Sequence, residues 1–230
     1  MTSAAAAAPA DVWGLLAATC AEHGLPWSAA WLGPLQRLAA VLARENALTN
    51  LVGDATPSGL AEHVVEALAV AAVTVAALGH APQRVVDVGA GAGLEALTLA
   101  LVWPTAQVVA VEPRTRRAAF TVQAAAAMGA GNVRVLQKTL ESAKLGPDFD
   151  LATARAVWPP AGWLPKANAL LTRHGVAALH GHGPPDALAA AVTAALAQLA
   201  EAQQQAWHLA GVRAVPGPRG HAVAVLWAPR

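Results

Sequence analysis

Two acidic residues and a run of alternating glycines carry the first chemical signal in this chain. Val85-Val86-Asp87-Val88 is a short apolar run with one acid, and it passes directly into Gly89-Ala90-Gly91-Ala92-Gly93. Glycines spaced in this way let a backbone turn sharply and let a ligand approach with no β-carbon in the way. The next apolar run, Gln107–Val111, ends at Glu112, where a carboxylate can accept hydrogen bonds from both hydroxyls of a ribose. A dinucleotide turn has the form G-x-G-x-x-G, but here Leu94 stands where its third glycine would be, and the pattern is D-x-G-x-G-x-G. Asp87 would repel a pyrophosphate and attract the cationic sulfonium and amino group of S-adenosylmethionine. Residues 85–93 with Glu112 therefore predict an S-adenosylmethionine site using Asp87, Gly89, Gly91, Gly93 and Glu112. A dinucleotide site and a purely structural βα turn are the competing readings.

These side chains work together only if strands deliver them to one edge of a sheet. From Arg84 onward short β-branched runs alternate with alanine-rich helical stretches, the signature of βαβ units. The expected strands are Arg84–Val88, Gln107–Val111, Asn132–Leu136, Phe149–Thr153, Gly175–Leu179, Ala206–Val212 and His221–Trp227. The expected helices are Leu94–Leu101, Thr115–Met128, Gly162–Leu171 and Asp186–Gln204. No helix separates the last two strands, so they should pair as an antiparallel hairpin through Pro216-Gly217-Pro218. The expected fold class is α/β: a Rossmann-like, seven-stranded, mostly parallel sheet with a final antiparallel strand.

Three helical patterns precede the sheet: Val12–His23, Trp27–Glu45 with a kink expected at Gly33-Pro34, and a third from Pro57 to about Leu78. They define an N-terminal helical cap over residues 11–80, after a loose tail at 1–10 and before a cofactor-binding domain at 81–230. With 230 residues, 56% apolar and 13% charged, the chain can bury one sizeable core, and disorder is excluded. A net charge of +1 gives no global basic field. The single cysteine, Cys20, excludes internal disulfides and thiolate clusters and fits a reducing, cytoplasmic setting. No Lys or Arg precedes Arg37, so no secretory leader is expected. The longest apolar run, Ala67–Leu78, is about a dozen residues where a membrane span needs about twenty, so no membrane association is expected. The eight histidines offer only His180-Gly181-His182 as a close pair, without a further ligand at zinc spacing, so no metal is expected.

From about Asn46 to Trp227 the chain resembles the bacterial small-subunit (16S) ribosomal RNA guanine-N7 methyltransferases, the glucose-inhibited division protein B family. That family's N-L-T element, basic-His pair and Asp-Ser look like Ala47-Leu48-Thr49, Glu62-His63 and Glu66-Ala67. Its D-V-G-[ST]-G-x-G-[FL]-P-G turn matches Asp87 to Leu94, then departs at Glu95-Ala96. Its acid, basic pair and Phe resemble Glu112, Arg116-Arg117 and Phe120; its Arg-x-Glu-Glu segment falls on Thr139-Leu140-Glu141-Ser142; its S-R-A resembles Ala154-Arg155-Ala156. The family's lysine after the fifth strand is His180 here, and the Arg-His before its last strand becomes Gly220-His221.

The resemblance implies S-adenosylmethionine as cofactor, with Leu94 and Arg155 added to its contacts and Leu140 and Glu141 flanking the adenine. It implies small-subunit ribosomal RNA or the small ribosomal subunit as partner, with the protein acting as a monomer. On the target side it implies Arg155 and His180. Arg155 would hold a phosphate or the guanine edge, and His180, when protonated, would present charge to RNA phosphate. Guanine N7 carries a free lone pair, so in-line methyl transfer to it needs neither a metal nor a general base. Trp158-Pro159-Pro160 accordingly lacks the amide or acid that would engage an exocyclic amino group. Two other functions stay open: a cofactor-binding interaction protein with impaired catalysis, and a methyltransferase for a protein or small molecule.

Overall fold

Along β1 (Arg84–Val88) and β2 (Gln107–Val111) every residue after the first is buried, which requires cover on both faces of the sheet and explains why these strands read as unbroken apolar runs. The computed structural model, which describes residues 11–201, 207–216 and 221–227, supplies that cover. β3 (Val133–Leu136), β4 (Phe149–Ala154), β5 (Leu171–His182), β6 (His208–Val215) and β7 (His221–Trp227) complete one seven-stranded sheet, in the order β3-β2-β1-β4-β5-β7-β6. β1 to β5 run parallel, and β7 lies antiparallel between β5 and β6.

Successive side chains along each strand face opposite ways. Val85, Val108, Leu151 and Val176 join one core cluster with helices α1 (Val12–Glu22), α2 (Leu32–Thr49), α3 (Pro57–Leu78), α4 (Leu94–Val102) and α5 (Thr115–Met128). Their neighbours Val86, Val109, Ala152 and Ala177 join a second cluster with α7 (Pro160–Asn168) and α8 (Pro185–Glu201). Between β3 and β4, the chain makes one further turn of helix, α6 (Leu140–Ala143), capped by the Thr139 side chain accepting from Ser142 N–H.

Several expected elements are corrected by the structure. The second helix starts only at Leu32, after a 3-10 turn at Ala29–Trp31. Pro34 thus falls in the first turn, where the missing N–H has no intrahelical partner to lose, and no kink is needed. The helix expected to reach Leu171 stops at Asn168, because Leu171 is already paired with Phe149 in the sheet. β5 runs on to His182, carried by its ladder with β7. α6 is an addition to the expected helices. The N-terminal helices share the core of the sheet: Leu16, Leu38 and Leu68 join one cluster with Val85, Leu97 and Val223. α3 spans 22 residues and is long and apolar enough to cross a membrane by length and composition. It packs instead against α4 and β5–β7, with its midpoint residues Glu66 to Ala71 all buried. Thr56 caps its start, Pro57 occupies its first turn, and Gly79 ends it at φ +78°. The expected tail at 1–10, the hairpin turn at Gly217-Pro218 and residue Gly220 lie outside the described residues.

β1 sits between β2 and β4, so the chain reverses its direction of travel across the sheet there. The carboxyl ends of β1 and β4 consequently border a crevice, the place where open α/β sheets bind ligands.

Candidate cofactor and target site

Register brings the strand ends level: Val88 pairs with Val111, and Val111 with Leu136. Gly89 and Ala90 both donate to the Val111 carbonyl (2.8 and 3.1 Å), and Gly93 donates to Ala90 (2.8 Å), folding the turn tightly over β2. Gly89, Gly91 and Gly93 all have positive φ (+71°, +59°, +69°), a conformation that excludes most side chains. Their surroundings differ. A β-carbon on Gly89 would lie 2.5 Å from Val157, and one on Gly93 2.4 Å from Thr121, so these two glycines serve packing within the protein. At Gly91 the nearest atom would be the Arg117 Nη1, at 3.7 Å. Only this glycine faces open space. Glu112 braces it: Oε2 accepts from Gly91 N–H and Oε1 from Arg114 N–H, both at 2.8 Å. Each oxygen retains a further lone pair for a ligand hydroxyl.

The turn borders a cavity of about 600 Å³, within the range of small-molecule sites. Asp87, Gly89, Gly91, Leu94, Glu112, Leu140, Glu141 and Arg155 all line it, as do Arg114, Arg117 and Lys138. Gly93 and His180 do not. Glu141 is on the rim, ion-paired with Lys166 at 3.2 Å. Trp158 lies flat on the buried Trp163, with ring centroids 5.8 Å apart and planes 4° from parallel.

Beneath the turn lies a first polar cluster. Asp87 and Glu95 are both buried. Burial, and then the Glu95 charge, push the Asp87 carboxyl well above its usual range. Its Oδ2 has no hydrogen-bond partner. Burial would raise Glu95 as well, but His180, Arg155 and Thr153 hold it below the usual value. Thr153 Oγ1 donates to Glu95 Oε1 at 2.5 Å, and His180 Nε2 stands 2.9 Å from Oε2 at ion-pair distance, though not in hydrogen-bond geometry. The expectation that His180 reaches RNA phosphate is thus corrected: its ring is spent on a buried carboxylate. An unpaired buried carboxylate oxygen, beside an open glycine and a braced ribose acceptor, suits a ligand with a cationic amino group and a ribose. S-adenosylmethionine has both.

A second cluster reaches the cavity through Arg155. Arg155, at the end of β4, donates to Glu66 of α3, whose other oxygen lies 2.6 Å from His221 Nδ1 at the start of β7. His63 Nδ1 is 2.7 Å from Arg155 Nη1. The sequence reading matched Glu66 and His221 to family positions but did not connect them. A signal was present in an acid at the centre of a very apolar helix, which could remain buried only with a cationic partner. Among the described residues, no group of three or more His, Cys, Asp or Glu could hold a metal ion.

Strand order, turn and cavity together define a Rossmann-like, S-adenosylmethionine-dependent methyltransferase. Solved structures with this fold include cofactor-bound Rv0187 from MTB (TM-score 0.57, 22% identity, covering 84% of this chain and 89% of that one). M. jannaschii TYW2 in complex with AdoMet is also similar (TM-score 0.51, 21% identity, 63% of this chain and 67% of that one). At the sequence level, the profile described as rRNA small subunit methyltransferase G (GidB) matches residues 32–213. The ribosomal RNA small subunit methyltransferase G of Stenotrophomonas maltophilia (strain R551-3) is 32% identical over 169 residues, 73% of this chain and 76% of that protein. The protein of the same name from Nitrosospira multiformis is 34% identical over 136 residues, 58% of this chain and 60% of that protein. The chain belongs to the rRNA small subunit methyltransferase G family.

Proposed function

We propose that this protein transfers the methyl group of S-adenosylmethionine to N7 of a guanine in small-subunit ribosomal RNA. Family membership supports the substrate, and one structural observation carries the site: Asp87, with an unsatisfied buried oxygen, and Glu112 flank the only glycine of the turn that faces open space. Asp87 receives the cofactor's ammonium, Glu112 its ribose hydroxyls, and Leu140 and Glu141 border the adenine, with Leu94 closing the cavity floor. When bound, the cofactor supplies a methyl group on a sulfonium, which the N7 lone pair takes by in-line displacement. Arg155 supplies donors to the target base or its phosphate. No residue has to remove a proton from N7.

The test is to incubate the protein with labelled S-adenosylmethionine and small ribosomal subunits that lack the modification, and to map the label. A single labelled guanine in the RNA is expected, and label in protein or small metabolites would overturn the substrate. Gly91→Val is the companion variant. It should unfold cooperatively yet bind no cofactor, because the added side chain enters the cavity and not the protein. Parental affinity in that variant would mean that the cofactor lies elsewhere.

A further inference from the structure

Glu66 is 2% exposed, in the middle of the helix that covers β5–β7. A carboxylate so placed stays charged only if cations surround it. Burial would raise it, but the polar cluster around it holds it well below the usual carboxylate range. His221 Nδ1, 2.6 Å from Oε1, is the donor on one side. On the other side Arg155 Nη1 meets both Glu66 Oε2 and His63 Nδ1. A guanidinium keeps its protons and has no acceptor, so Nη1 donates one hydrogen to each. His63 Nδ1 is then the acceptor and its ring proton sits on Nε2; its 3.3 Å approach to Glu66 is not a hydrogen bond in this tautomer. Both Nη1 hydrogens are used, whereas Nη2 and Nε have no partner among the described residues. Arg155 lines the cavity and its side chain is 32% exposed.

We propose that Glu66, His63 and His221 are positioning residues for the methyl-transfer reaction, clamping Arg155 by its Nη1 so that its remaining guanidinium edge faces the target base. This rests on the reading of Arg155 as a target-side group. Both partners of that guanidinium nitrogen come from α3, and β7, 155 residues further along the chain, holds the carboxylate between them through His221. A free arginine would have to lose several rotamers as the base enters; this one has already lost them.

The test separates positioning from simple bracing. Glu66→Gln keeps the size but brings hydrogens where Arg155 and His221 already point theirs. Turnover on ribosomal subunits should fall on the order of a hundredfold, the loss typical of a misplaced group, with the cofactor affinity of the folded protein close to the parent's, while the thermal midpoint falls because the buried cations lose their anion. Glu66→Asp should recover most of the turnover. His63→Asn, which keeps an acceptor near the Nδ1 position, should stay close to the parent, whereas His63→Leu should lose turnover; this pair serves if Glu66→Gln does not fold. Arg155→Gln is the reference. If it is inactive while Glu66→Gln turns over normally, the clamp is wrong and the reading of Arg155 stands. If Arg155→Gln itself turns over normally, the reading falls first. Loss of fold and cofactor binding together in Glu66→Gln, with parental turnover in His63→Leu, would also overturn the proposal and leave only a brace between helix and sheet.

Discussion

Two buried acid–histidine clusters flank the same cavity and have opposite electrostatic character. Around Glu66 one carboxylate meets an arginine and two histidine nitrogens, and both its oxygens are engaged. Beneath the glycine turn stand two carboxylates, Asp87 and Glu95: His180 lies against Glu95 alone, the Arg155 charge acts on both, and one oxygen of Asp87 has no partner. Burial acts on all three acids in the same direction, so the difference lies in the supply of positive charge. The first cluster is complete within the protein and can only position what it holds. The second leaves an oxygen of Asp87 without a partner, which a ligand can supply. A zwitterionic cofactor therefore belongs at the Asp87 end and an electron-rich base at the Arg155 end.

The contrast is broken most severely by removing His180, whose ring stands at ion-pair distance from Glu95. His180→Ala leaves Glu95 facing Asp87 with no ring between it and the sheet. Removing one partner of a buried ionic pair costs about 3–5 kcal/mol, and His180 and Glu95 are 10% and 5% exposed at the side chain, so little solvent screening softens the loss. Urea unfolding checks it. Adding Glu95→Gln to His180→Ala should restore part of the stability, because it removes the stranded charge. A stability loss near zero would mean that the pair is not charged. Since the ring does not reach the cavity, the salt dependence of RNA binding should be the same with and without it.

How much of this was legible in the sequence depended on whether a residue's partners lay near it in the chain. β1 and β2 could be bounded to the residue because apolar, β-branched runs end in a glycine turn or an acid there. Glu112 could be found because it directly follows a strand whose register with β1 is fixed. Glu66 and His221 stand 155 residues apart, and nothing in either neighbourhood announces the other. The glycine pattern was visible, but not which glycine faces the ligand: that depends on Val157 and Thr121, brought over Gly89 and Gly93 by other elements. His180 was read as a substitute for a surface cation because its partner, Glu95, was noted only as a departure from the turn motif. β5 was read too short because its first residues, Leu171-Thr172-Arg173-His174, have no strand-like alternation, and their place in the strand follows from the pairing of Leu171 with Phe149 before a register shift to Val176.

Asp87→Asn sharpens the contrast from the other side. Neutralising Glu66 removes the anion that its cluster is built around, whereas neutralising Asp87 removes one of two crowded like charges. The variant should therefore fold as stably as the parent, or more so, near neutral pH. It should nonetheless bind S-adenosylmethionine more weakly by about 1.5–3 kcal/mol, the range for a hydrogen bond to a charged group. Calorimetry with the cofactor, beside urea unfolding without it, separates the two effects. A variant that loses stability but keeps cofactor affinity would assign Asp87 to the fold alone.

The same carboxyl should make the free protein's stability depend on pH in an unusual direction. In the unfolded chain an aspartate titrates near 3.9, while in the folded protein burial and Glu95 hold Asp87 well above that. Between the two values the folded state keeps a proton that the unfolded state has released. Stability must then fall as pH rises through that window, with a limiting slope of about 1.4 kcal/mol per pH unit for one proton, and level off above the folded value. Glu66 has the opposite sign: held low in the folded state, it adds stability that is present above the ordinary carboxylate range and disappears as pH falls through its folded value. The two clusters thus act in different windows, Glu66 in acid and Asp87 from mild acid upward. Saturating S-adenosylmethionine should flatten the upper slope, because its ammonium favours the ionised Asp87, and binding below the raised pKa should release a proton. Urea unfolding from pH 2 to 8, for the parent and Asp87→Asn with and without cofactor, reads all of this. A parent profile with no downward slope, or an equal slope in Asp87→Asn, would show that the Asp87 cluster is not short of positive charge and that the asymmetry between the two sides of the cavity is absent.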